Sequence, residues 1–225
     1  MALKELLLAA IVQWIPPWYP PGQNPDTLED YHARLDVIAE AVALEVPKVP
    51  WYLGDEAMAA AVLTIWYGET RFAHEVHALG QSRWGQDVGK AKCLGQIHHS
   101  RIVPKAEWER LEGATLSATR RCANATMRMV RAMAYQCKTR QIQPGAFAHI
   151  FAAYGSGRGC AVSEEAQSRG RRWYWLMSKL AKPSPTTSSR PAASEGPART
   201  EKAARDREAG GRRHARSKGQ SRDSL

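Results

Sequence analysis

The uncharged run from Ala57 to Tyr67 constrains the fold of this chain more than any other feature of its sequence. The run starts shortly after Asp55 and is built from small and large apolar residues, with a single threonine. A helix that is apolar on every side is surrounded by protein rather than exposed on one face. The run therefore predicts a central core helix around which the other elements pack.

Four more segments carry apolar residues at helical spacing and are bounded by residues that start or stop helices. The first predicted helix has Thr27 as its N-cap and stops at Pro47, and the second starts after Ser117. The third runs from Pro144 to Tyr154, and the fourth runs from about Glu164 to Leu180. No segment shows the alternating pattern of an exposed strand. The predicted fold class is therefore mainly α, with one helical domain over residues 27–182.

The two ends of the chain differ from this domain in composition. Residues 1–26 contain a short apolar run, Leu6 to Val12, followed by aromatic and proline-rich sequence. The run is too short to span a membrane, and it resembles a signal or anchor segment without the small-residue cleavage pattern. Residues 183–225 contain few large apolar side chains, so they cannot compensate the entropy lost on ordering, and we expect a disordered tail.

The tail also accounts for much of the positive charge. It holds eight arginines and two lysines against five acidic residues, which is half of the net charge of +10. Such a tail attracts phosphate but has no aromatic side chains for base stacking. We therefore expect no specific binding of nucleic acid.

Glu69 is the first carboxylate after the uncharged run and lies at the end of the predicted core helix. Partial burial and the negative end of the helix dipole both disfavour its anion, so we expect Glu69 to hold its proton to a higher pH than a free glutamate. A glycosidase needs a carboxylic acid of this kind to protonate the leaving oxygen. The structural alternative is that Glu69 forms an ion pair with Arg71 or Lys92.

Three separated pieces resemble, in the same order, the motifs of soluble lytic transglycosylases and goose-type lysozymes. The pieces are Glu69 to Phe72, similar to the E-S-G-F element of the catalytic acid; Cys93 to Ile97, similar to the G-L-M-Q-I element of the sugar cleft; and Ala153 to Gly157, similar to A-Y-N-x-G. The family glycine, methionine and asparagine are replaced by Arg71, Gly95 and Gly155.

The resemblance implies a lysozyme-like helical domain that cleaves the bond between MurNAc and GlcNAc in peptidoglycan without a cofactor. Glu69 would act first as acid and then as base, so that a 1,6-anhydro ring closes on MurNAc. The resemblance assigns Gln96 and Ile97 to the cleft and Tyr154 to orienting the acid. His98 adjoins the cleft motif and is expected to line the cleft or face solvent, and Trp84 is a candidate for stacking on a sugar face, with a core position as the alternative. The expected partner is a glycan strand, and the protein is expected to be a monomer.

Two alternatives remain. A muramidase that uses water requires a second carboxylate about 6.5 to 9.5 Å from the first. Asp87 and Glu75 are the candidates, but Asp87 lies between glycines and is more typical of a turn. The lytic reaction is therefore preferred. In the other alternative, the same domain binds peptidoglycan without cleaving it and serves as a structural module of an envelope or phage assembly.

The four cysteines are widely spaced, and neither a CxxC nor an HExxH pair is present, so a metal site is not expected. Cys122 and Cys137 are separated by about 22 Å along one predicted helix, too far for a disulfide. Pairing of Cys93 with Cys122 and Cys137 with Cys160 is favoured, and Cys93 with Cys137 and Cys122 with Cys160 is the alternative. Disulfides indicate the periplasm or another site outside the cytoplasm.

Overall fold

The computed structural model describes residues 2–14, 27–79, 89–137, 146–156 and 159–181, and these residues are mainly helical. The helices are α1 Leu3–Trp14, α2 Leu28–Glu45, α3 Asp55–Thr70, α4 His74–Leu79, α5 Lys105–Trp108, α6 Leu116–Gln136, α7 Ala146–Ser156 and α8 Glu164–Leu180. Within the described ranges, an isolated bridge between Lys92 and Ile97 is the one sheet-like pairing. The predicted mainly α fold class is confirmed. The tail predicted to be disordered, 183–225, lies outside the described residues.

Helix α3 is the core helix that the uncharged run predicts. Every residue from Ala57 to Trp66 is buried, and the helix packs against α2, α6 and α8. The indole of Trp66 donates a hydrogen bond to Thr126 Oγ1 of α6 at 3.0 Å, and the indole of Trp173 in α8 donates to the carbonyl oxygen of Ala57 at 3.0 Å. Helix α3 is therefore fixed on two sides by buried polar contacts as well as by apolar packing.

Side-chain caps mark the N-termini of several helices. Thr27 Oγ1 accepts the backbone N–H of Asp30 at 3.0 Å, as the sequence predicts for the start of α2. Helix α6 is capped by Thr115 and begins at Leu116, slightly earlier than the start predicted after Ser117. Helix α8 spans its predicted residues. Pro144, the predicted start of α7, lies outside the described residues.

Helix α1 packs against α2 and α8, although the sequence suggests a signal or anchor for this segment. Leu7 and Ile11 are fully buried. Lys4 Nζ forms ion pairs with Asp36 at 3.0 Å and Glu40 at 2.9 Å. In the described ranges, no helix combines the length and apolarity that crossing a membrane requires. Export or anchoring by residues 1–26 stays a prediction.

Two disulfides join Cys93 to Cys122 and Cys137 to Cys160, which confirms the favoured pairing. The first connects the segment before α5 to the interior of α6. The second connects the end of α6 to the segment before α8. The cross-links therefore hold two irregular segments against regular helices.

Candidate active site

Glu69 lies in the last turn of α3, and its side chain is 21% exposed. The chain leaves the helix through Arg71 and Phe72, which have φ values of 53° and 55°. This left-handed conformation is the one that glycine adopts most readily, and glycine is the family residue at the position of Arg71. Helix α3 therefore ends in a left-handed conformation that favours glycine, although the residue in this position is Arg71.

The segment from Lys92 to Ile97 forms a tight turn beside this helix end. The backbone N–H of each of these two residues donates to the carbonyl oxygen of the other, at 3.0 Å and 2.9 Å. Gln96 has a φ of 47°, and its side-chain Nε2 donates to the carbonyl oxygen of Cys93 at 2.9 Å. The Gln96 amide therefore braces the turn from within.

The three predicted motifs meet at this turn. Thr70 Oγ1, next to Glu69, donates to the carbonyl oxygen of Trp66 at 2.8 Å and lies 3.5 Å from the carbonyl oxygen of Leu94. The Tyr154 hydroxyl donates to the carbonyl oxygen of Gly95 at 2.8 Å. A Cβ on Gly95 would lie 2.6 Å from Thr126 Oγ1 and 3.0 Å from the Tyr154 hydroxyl oxygen. The side chains of Thr126 and Tyr154 therefore fill the space that a larger residue at position 95 would occupy.

Tyr154 is close enough to Glu69 to respond to its charge. Burial raises the pKa of the Tyr154 hydroxyl above its usual range, and the negative charge of Glu69 acts in the same direction. The phenol therefore stays a neutral hydrogen-bond donor at physiological pH.

Arg169 of α8 is the site residue that sequence reasoning missed. Its Nη1 donates to Glu69 Oε1 at 2.5 Å and its Nη2 donates to Glu165 Oε1 at 2.5 Å. The side chain of Arg169 is 6% exposed, and a Cβ on Gly68 would lie 2.9 Å from its Nε. Burial alone would lower the pKa of Arg169, but the two carboxylates raise it above its ordinary value.

This ion pair gives Glu69 a partner that the sequence does not predict. The role of Glu69 as a general acid stays a prediction. The predicted pair with Arg71 or Lys92 is wrong, because Arg71 Nη1 donates to the Tyr67 hydroxyl at 2.7 Å and Lys92 pairs with Glu112. The sequence signal for Arg169 was weak: an acidic residue four positions earlier on the same helix.

No family model, no curated protein and no solved structure matches this chain. The resemblance to lytic transglycosylases and goose-type lysozymes therefore stays a prediction from the sequence motifs.

The other predicted site residues have different positions. Ile97 is buried, and its carbonyl oxygen accepts the indole N–H of Trp108 at 2.6 Å, whereas His98 is exposed. Glu75 lies in the first turn of α4. Trp84 and Asp87 lie outside the described residues.

Two further observations bear on ligands. Across the described ranges, no group of three or more His, Cys, Asp or Glu side chains is arranged to hold a metal ion. A cavity of about 170 Å³ lies between α7 and α8 and has Gly155, Glu165 and Arg169 in its wall. Arg169, which binds Glu69, is therefore also part of the wall of this cavity.

Proposed function

We propose that this protein is a lytic transglycosylase that cleaves the MurNAc to GlcNAc bond of peptidoglycan. The convergence of the three motifs carries the proposal. Thr70, beside the candidate acid, contacts the turn that contains Gln96, and Tyr154 contacts the same turn from α7. Motifs matched by chance have no reason to meet in space with their polar groups joined.

In the proposed mechanism, the protonated carboxyl of Glu69 gives its proton to the glycosidic oxygen, and the bond from MurNAc C1 to that oxygen breaks. The Glu69 carboxylate then takes the proton of the MurNAc C6 hydroxyl while its oxygen bonds to C1. The products are a GlcNAc end with a free hydroxyl and a 1,6-anhydro MurNAc, and no water is consumed. Arg169 stabilises the carboxylate between the two proton transfers.

The two disulfides support action outside the cytoplasm, because reducing compartments do not maintain such bonds. We propose the periplasm or the cell wall as the place of action, for a protein of a bacterium or a phage. The proposed partner is a glycan strand, which a monomer can bind.

A second candidate function is supported by the ion pair itself. Arg169 Nη1 donates to Glu69 Oε1, so this oxygen of the candidate acid already has a partner within the protein, which favours a module that binds peptidoglycan without cleaving it. The two functions differ in one measurable property, the release of soluble fragments from murein.

The deciding experiment compares wild type with Glu69→Gln on purified murein, with Glu109→Gln as a matched control at an exposed position of the same chain. Removing a general acid should lower the rate of clearing by about 10² to 10⁴-fold. The Glu109→Gln protein should clear murein like wild type.

Mass spectrometry then identifies the product, because an anhydro end is lighter than a hydrolysed end by one water. Equal clearing by wild type and Glu69→Gln would exclude the proposed role of Glu69. Sedimentation of wild type with murein without released fragments would support the binding module, and hydrolysed ends would support a muramidase.

A further inference from the structure

Tyr67, in the last turns of α3, is flanked by two guanidinium groups. Arg71 Cζ lies 4.8 Å and Arg172 Cζ lies 4.9 Å from the centre of its ring. The Tyr67 hydroxyl also accepts a hydrogen bond from Arg71 Nη1 at 2.7 Å. One aromatic side chain therefore holds two positive charges close together at the surface.

In the part of the chain that the structure describes, neither Arg71 nor Arg172 forms an ion pair with an acidic residue, and Glu69 and Glu165 are both bound by Arg169. Burial lowers the pKa of Arg172, and the charges of Arg71 and Arg169 act in the same direction, whereas Tyr67 and the charge of Glu165 act in the opposite direction. A bound anion would offset the repulsion between the guanidinium groups.

The chemistry of the pair selects the kind of anion. A guanidinium is planar and presents its N–H groups as a fork that matches the two oxygens of a carboxylate. Stacking on Tyr67 orients both groups before a ligand binds, which reduces the entropy lost on binding. Arg71 is exposed and Arg172 is half-buried, so ligand atoms can reach the pair.

The pair also lies next to the candidate acid. Arg71 follows Glu69 by two residues, and Arg172 lies about one helical turn beyond Arg169, which binds Glu69. The family motif has glycine at the position of Arg71, so this pair is a feature of this chain and is not carried over from the resemblance.

We propose that Arg71 and Arg172, held by Tyr67, bind a carboxylate of the peptidoglycan substrate on its MurNAc side. This inference rests on the proposed function, because it takes the glycan at Glu69 as the ligand. Two sources supply the anion: a carboxylate of the peptide attached to the lactyl group, or the lactyl carboxylate itself where that peptide has been removed.

The test uses fragments without a glycosidic bond, so that binding is measured apart from cleavage. NMR titration of the full chain compares MurNAc-dipeptide, the same compound with its carboxylates converted to amides, MurNAc, and neutral GlcNAc. If the ligand is the peptide carboxylate, wild type should bind MurNAc-dipeptide about tenfold or more tightly than its amide form, the size of a lost hydrogen-bonded charge. If the ligand is the lactyl carboxylate, which is an amide in MurNAc-dipeptide, MurNAc should instead bind about tenfold or more tightly than either form of the dipeptide.

The variants Arg71→Gln and Arg172→Gln should bind the acid and amide forms equally, whereas Arg171→Gln, at an exposed position beside the pair, should keep the preference. Arg71→Gly is the second variant at its position, because glycine suits the left-handed backbone and preserves folding. Equal affinity of wild type for MurNAc, MurNAc-dipeptide and the amide form, or an equal loss in Arg171→Gln, would overturn the inference. Charge-dependent binding by a protein that clears no murein would count against the proposed catalysis and not against this site.

Discussion

Arg169 binds Glu69 across a separation of 100 residues, and this contact holds the candidate acid against α8. Arg169→Gln removes the guanidinium that binds both Glu69 and Glu165, so it should lower the rate of murein clearing by about tenfold or more. Arg169→Lys keeps the positive charge and should retain more of the rate. Equal clearing by wild type and Arg169→Gln would contradict this role of Arg169.

Gly95 supports a second prediction for a single residue. Gly95→Ala places a methyl group against Thr126 Oγ1 and the Tyr154 hydroxyl, so we expect a loss of about 1 to 3 kcal/mol in the free energy of unfolding. Gly170→Ala is the control, because its Cβ would lie 3.6 Å from the Ala148 Cβ, an ordinary contact. Denaturant unfolding should show the loss in the first variant, and equal stability of the two would contradict the steric explanation.

Sequence reasoning reached Glu69 and Tyr154 because each lies in a recognisable local motif. It missed Arg169 because an ion pair between α3 and α8 depends on how the helices pack. It recorded Gly95 only as a departure from the motif, whereas the close approach of Thr126 and Tyr154 explains the glycine. Local patterns therefore identified the candidate acid but not the residue that binds it.

Among the elements, long helices with periodic apolar residues were predictable, and short or docked ones were not. Helices α2, α3 and α8 match their predicted bounds closely, since periodicity and caps act within a few residues. Helix α5 has four residues and offers no period to detect. The packing of α1 against α2 and α8 is a tertiary property. The sequence of α1 alone therefore does not distinguish a packed helix from a signal segment.

The two disulfides give a matched pair of tests. They span similar sequence separations, 29 and 23 residues, so the chain-entropy model gives each a similar stabilisation of about 2 to 4 kcal/mol. Cys93→Ala with Cys122→Ala releases the turn that carries Gln96, and it should lower both the melting temperature and murein clearing. Cys137→Ala with Cys160→Ala should lower the melting temperature by a similar amount, with a smaller effect on clearing. Similar losses of clearing in both double variants would contradict the special role of the first bond.

For the whole molecule, His77 sets a pH window in which stability falls. Burial, and then the charges of Arg34 and His74, lower its pKa from 6.5 to about 4. The unfolded chain therefore binds a proton that the folded protein does not, so stability decreases as pH falls from 6.5 towards 4, by at most about 3 kcal/mol.

Urea unfolding at several pH values checks this window. His77→Gln should flatten the pH dependence in that range, whereas His32→Gln, at an exposed position, should leave it unchanged. A wild-type slope that survives in His77→Gln would assign the pH dependence to other groups.

The connectivity of the cross-links has a consequence for biogenesis. Each cysteine is bonded to its neighbour in the order of the chain, so neither closed loop encloses or interrupts the other. A polypeptide that leaves a ribosome or translocon with its N-terminus first presents Cys93 and Cys122 before the remaining two. An oxidant that joins thiols in their order of emergence therefore reaches the native arrangement directly, without an isomerase to reshuffle mispaired bonds.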